Sequence, residues 1–72
     1  MSSRFFESFN YAYRVLSDEF KFTKLEIAAI IGIPYDRLNE ILDKFEPSVW
    51  ETLAIQAGAL AAKLLREKGQ LR

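Results

Sequence analysis

Apolar residues recur in steps of three and four along most of this chain. In the first stretch Phe5, Phe6, Phe9, Ala12, Tyr13, Leu16 and Phe20 fall on one face. Arg4, Glu7, Asn10, Arg14, Ser17 and Asp18 lie mostly elsewhere around the axis. That period is the signature of an amphipathic helix, expected over residues 3–20. Arg14 and Asp18, one turn apart, form a potential surface ion pair.

The period breaks at Lys21–Phe22–Thr23 and restarts at once. Thr23 followed by Glu26 has the spacing of a capping box, in which side chain and backbone satisfy each other at a helix start. Phe22 before the cap and Ile27 inside the helix fit a hydrophobic staple. The second helix is expected over 24–31. Gly32 ends it, because glycine takes up a left-handed conformation without steric cost. Ile33 is expected to fold back onto Ala28, and Pro34 suits the start of a third helix.

That third helix is expected over 34–45. Leu38, Ile41, Leu42 and Phe45 form its apolar stripe, and Asp36, Arg37, Asn39, Glu40, Asp43 and Lys44 its polar side. Glu40 and Lys44 are spaced for an ion pair. Pro47 bars continuation, and Ser48 with Glu51 repeats the capping-box spacing.

The fourth helix is expected over 49–68, with Gly69 as its stop and residues 70–72 as a frayed tail. Its apolar stripe is read as Val49, Trp50, Leu53, Ala57, Leu60, Ala61, Leu64 and Leu65. Ala and Leu around Gly58 favour one continuous helix. At ~30 Å it is longer than a three-helix core requires. Trp50, Leu53, Ala57, Leu60 and Leu64 step like a short coiled-coil seam, so they are the expected oligomer interface. Ala54, Gly58 and Ala62 form a neighbouring small-residue strip, fit either for close approach of another helix or for accommodating the bulky first one. Four helices, short connections and no strand pattern predict an all-α fold in one domain spanning residues 1–72.

Composition narrows the chemistry. The 72 residues include six Phe, three Tyr and one Trp, too much apolar mass for a disordered chain. With no cysteine there is neither a disulfide nor a thiolate metal site, and a core this small often gains stability by oligomerising. With no histidine, Ser–His or Cys–His nucleophilic catalysis is excluded within the chain. The carboxylates sit in ordinary helix-surface patterns, with no glycine-rich phosphate loop and no metal-ligand cluster, so no enzyme, cofactor or metal is expected. No apolar stretch is long enough to span a bilayer, and the N-terminal stretch lacks the form of a secretory signal. A cytoplasmic location is the resulting expectation. Ten basic residues balance ten acidic ones, so net charge gives no push toward nucleic acid.

Taken together, Ile27, Ala28, Ile31, Gly32, Ile33, Leu38 and Ile41 resemble the helix-turn-helix of the Xre/Cro-like, or lambda-repressor-like, DNA-binding family. The phrase "IGIPYDRLNEIL" is similar to antitoxin- or phage-regulator-type members. The resemblance covers roughly residues 5–60. It implies a small Ala28 where the two helices cross, a turn at Gly32, and a third helix that lies in the major groove.

On that resemblance the groove-facing positions are Pro34, Tyr35, Asp36, Asn39, Glu40 and Asp43. Asn39 suits adenine, and Asp36 or Glu40 suits the cytosine amino group. Thr23, Lys24 and Arg37 are placed for the phosphate backbone, with Lys21 and Lys44 adding charge. The function implied is a sequence-specific transcriptional regulator that binds double-stranded DNA as a homodimer. The acidic character of the third helix keeps a second function open: a protein-interaction module, antirepressor or adaptor, that grips a protein partner and leaves DNA alone. Lys63, Arg66, Lys68 and Arg72 form a local basic cluster, read first as charges that favour the helix C-terminus.

Overall fold

In the computed structural model, which describes residues 4–69, the apolar periodicity becomes four α-helices. They are α1 (Phe6–Arg14), α2 (Lys24–Ile31), α3 (Tyr35–Lys44) and α4 (Val49–Glu67). There is no strand among the described residues. The all-α fold with a long C-terminal helix is thus the one the chain adopts.

Both capping boxes are formed. Thr23 Oγ1 accepts the Glu26 N–H at 3.2 Å, and Glu26 Oε1 accepts the Thr23 N–H at 2.8 Å. At the start of α4, Ser48 Oγ accepts the Glu51 N–H at 3.1 Å, and Glu51 Oε1 accepts the Ser48 N–H at 2.8 Å. These contacts satisfy donors that a helix start otherwise leaves orphaned. Gly32 ends α2 at φ 87°. Its N–H and that of Ile33 both donate to the Ala28 carbonyl, at 2.8 and 3.1 Å, while Ile33 packs against the core.

The first helix departs from expectation. Ser3 lies outside the described residues, and regular α-helix runs only from Phe6 to Arg14. Val15–Glu19 then widens into a π-helical turn, with the Phe20 N–H donating to the Val15 carbonyl at 3.3 Å. A five-residue turn brings Val15 onto the same inward side as Leu16 and Phe20, and all three are buried. The chain leaves this turn through Lys21 at φ 61°, a conformation that costs a non-glycine residue on the order of 1 kcal/mol. The Phe22 N–H donates to the Leu16 carbonyl at 3.1 Å, closing the exit.

The third helix is shorter than expected at both ends. Pro34 is its extended N-cap, and Phe45 is not a member of its core stripe. Phe45 is the left-handed C-cap, at φ 60°, and its ring meets Phe6 edge-on at 4.8 Å. That aromatic contact, worth about 1 kcal/mol, offsets the backbone strain and ties the end of α3 to the start of α1.

The core consists of Phe9, Ala12, Val15, Leu16 and Phe20 from the first element, Ile27 and Ala28 from α2, and Leu38 and Ile41 from α3. Ile55, Ala59 and Ala62 complete it from α4. Each large side chain fully removed from water contributes about 1.5–3 kcal/mol. The face of α4 that enters the core differs from the expected stripe. Thr52, Ile55, Ala59 and Ala62 point inward, while Val49, Trp50, Leu53, Ala57, Leu60, Ala61, Leu64 and Leu65 are exposed. The Thr52 hydroxyl is buried but donates to the Ser48 carbonyl at 2.9 Å.

Gly58 keeps α4 continuous and serves α2. A Cβ at that position would stand 2.7 Å from Ile30 Cγ2. The neighbour at that point of the small-residue strip is therefore α2, not the first helix.

Candidate nucleic-acid interface

Beyond the turn at Gly32–Pro34, Tyr35 at the start of α3 reaches the residues that open α2, so residues far apart in sequence share one exposed side. Thr23, Lys24, Leu25 and Tyr35 line a shallow groove of about 430 Å³ there. Lys24 Nζ donates to Asn39 Oδ1 at 3.1 Å, one turn further along α3. Asp36 stands exposed in the first turn of α3, and Asp43 exposed near its end. Four of the eight expected contact residues (Thr23, Lys24, Tyr35 and Asn39) are thus gathered in one place.

Arg37, Glu40 and Lys44 have a different arrangement. Arg37 turns toward α4, where its Nε donates to Glu51 Oε2 at 2.6 Å and its Nη2 to Glu51 Oε1 at 2.7 Å. Its Nη1 donates to Glu40 Oε1 at 2.6 Å. Lys44 Nζ approaches Glu40 Oε2 at 3.4 Å, the ion pair that the spacing predicts. A planar guanidinium holding a carboxylate with two parallel bonds is among the stronger ion-pair geometries.

The charge consequences follow from those contacts. Hydrogen bonds from Arg37 hold the Glu51 carboxyl down to about 2, helped by the Ser48 N–H and opposed by partial burial. Glu40 is also lowered, first by Arg37 and then by Lys44. Arg37 is itself raised, chiefly through Glu51 and then Glu40. Glu51 therefore does three things at once: it caps α4, anchors Arg37 and links α3 to α4. The sequence signals only the first, because nothing in local spacing marks a partner fourteen residues away.

Elsewhere, Arg66 from the basic cluster lies 4.5 Å over the Phe20 ring and 3.5 Å from Glu19, so it fastens the end of α4 to the π turn. Arg72 lies outside the described residues. Arg14 and Asp18 pair at 3.0 Å on the surface, as their spacing predicts. Tyr13 is raised by burial, then by Tyr35 and Asp18.

The expected oligomer-interface residues share the outer side of α4. Trp50 is 80 % exposed, and Leu53, Leu60 and Leu64 are exposed beside it. Tyr11 of α1, also exposed, joins Gln56, Ala59, Leu60 and Lys63 around a hollow of about 220 Å³. Among the described residues no helix is long and apolar enough to cross a membrane, and no group of acidic residues could hold a metal ion. No protein-family model, curated protein or solved structure matches the chain.

Proposed function

We propose that the chain is a small sequence-specific DNA-binding regulator that acts in the cytoplasm as a homodimer, with α3 as the helix that enters the major groove. The observation that carries this reading is the groove shared by the first residues of α2 and α3, Lys24 and Tyr35, with Lys24 bonded to Asn39 one turn along α3. Helix N-termini favour phosphate, and Lys24 supplies a full charge beside them. Asn39 keeps its amide N–H donors, and its oxygen has a second lone pair, so it remains competent to pair bidentately with adenine. Tyr35 and Thr23 border the same groove.

The acidity of α3 is less adverse than its composition suggests. Glu40 is matched by Arg37 and Lys44, which leaves Asp36 and Asp43 as the acids of the helix without an ion-pair partner among the described residues. Arg37 acts in this reading as a brace that orients α3 on α4. The competing reading, a protein-interaction module that does not bind DNA, draws on that same commitment of Arg37 to Glu51 and on the broad apolar outer side of α4.

A gel shift across a salt series separates the two. Binding should weaken steeply as salt rises, and Lys24→Ala should reduce the magnitude of the log–log slope by about 1. Asn39→Ala should narrow the difference between preferred and random DNA. No binding at low salt by the folded wild-type protein would overturn the DNA reading.

A further inference from the structure

We infer that the outer side of α4 pairs with the same side of a second copy in antiparallel register, with Ala57 of each chain at the two-fold axis. This rests on the homodimer of the proposed function and specifies its geometry. Trp50, Leu53, Ala57, Leu60 and Leu64 alternate in steps of three and four, the spacing of a helix–helix seam. That seam lies opposite the buried Thr52, Ile55, Ala59 and Ala62, so the second copy meets it without disturbing the core.

Charge selects the orientation. Continued in the C-terminal direction, the seam reaches Glu67, flanked by Lys63 and Lys68. A parallel pair would set Glu67 against the partner's Glu67, and Lys63 against the partner's Lys68. An antiparallel pair removes both repulsions. It brings Lys68 toward the partner's Glu46 and sets Glu67 near the N-terminus of the partner's α4, where the helix dipole favours an anion. The two α4 dipoles then oppose each other as well.

Side-chain sizes fit this register. Trp50 meets the partner's Leu64 and lies over the partner's Ala61, whose small side chain leaves room for an indole. Leu53 meets the partner's Leu60 and faces the partner's hollow beside Tyr11, Gln56 and Lys63. The two Ala57 side chains permit close approach at the axis. The arrangement is isologous, as a closed two-fold dimer requires.

The chain has no cysteine, so a single Leu65→Cys, beside the seam and outside the charged set, carries one nitroxide per copy. Measured on DNA-free protein, double electron–electron resonance should give a separation of about 25–30 Å, set by the helical rise between levels 49 and 65 and the spacing between the helices. A separation below about 20 Å, as two labels at one level of a parallel pair would give, would overturn the antiparallel register. A monomeric wild type in sedimentation would overturn the pairing itself. Leu60→Glu should yield monomers of unchanged helicity by circular dichroism, and a dimer of undiminished mass in that folded variant would also overturn it. None of these readouts uses DNA, so a failed gel shift and a failed register are told apart.

Discussion

On the inner side of α4, Thr52, Ile55, Ala59 and Ala62 are buried, and only Ile55 is large. On the outer side Trp50, Leu53, Leu60 and Leu64 stand in solvent, and all are large. Both sides are apolar, so transfer from water favours burying either. The outer residues even offer more area. The inner side wins because α1 and α2 press close to α4, and the gap takes mostly small side chains around the one large Ile55. Ile30 against Gly58 marks how narrow that gap is. Size relative to the space between helices, more than hydrophobicity, decides which side of this helix enters the core.

The sharpest test of that contrast exchanges one residue on each side. Ile55→Ala should cost about 3–4 kcal/mol in urea unfolding, the sum of lost transfer energy and an unfilled cavity. Leu60→Ala, measured at protein concentrations low enough for monomer, should stay within about 0.5 kcal/mol. Equal losses at the two sites would erase the distinction between the faces.

A second test lies at the N-terminal end of α4. Glu51 is held at about 2 against an ordinary 4.5, so its contribution is complete above about pH 4.5 and disappears as pH falls toward 2. A shift of this size corresponds to roughly 3 kcal/mol, reduced to about 2 by solvent screening at the partly exposed Arg37. Glu51→Gln should therefore lower stability by about 2 kcal/mol near neutral pH. It should also flatten the decline of stability between about pH 4.5 and pH 2 in urea midpoints; an unchanged pH profile would show that the Arg37 clamp contributes little.

The smallest expected effect tests the narrow gap directly. Gly58→Ala alone should lose about 1 kcal/mol, because the stiff branched Ile30 cannot give way freely and overpacking outweighs the gain in helix propensity. In an Ile30→Ala background the same change should become stabilising by up to about 1 kcal/mol, since the propensity gain then acts unopposed. A thermal-melt double-mutant cycle with no coupling would mean that α2 and α4 do not constrain each other at this point.

Much of the fold was legible because its signals are local. Thr23 with Glu26, and Ser48 with Glu51, mark helix starts through contacts three residues long. Gly32 marks an end through its own backbone freedom. The grouping of Thr23, Lys24, Tyr35 and Asn39 was not fixed by those boundaries, since a short turn joins the end of α2 to the start of α3 and the angle between the helices decides what α3 faces. The left-handed conformations at Lys21 and at the cap Phe45 were hidden, because neither residue type favours them. Phe45 is held there by Phe6, thirty-nine positions earlier in the chain. The π turn was hidden too, since an α-helical period already accounts for Leu16 and Phe20 and leaves Val15 outside.

The sequence by itself determined an all-α chain of four helices, where α2 and α4 start, and where α2 stops. These follow from periodicity, capping chemistry and backbone preference within a few residues. Only the tertiary structure decided which side of α4 is buried, that Arg37 reaches α4, and that Gly58 makes room for Ile30. Each of these depends on the distance between elements distant in sequence. An apolar residue records that it prefers to leave water, but nothing in its local sequence records which neighbour will be close enough to take it.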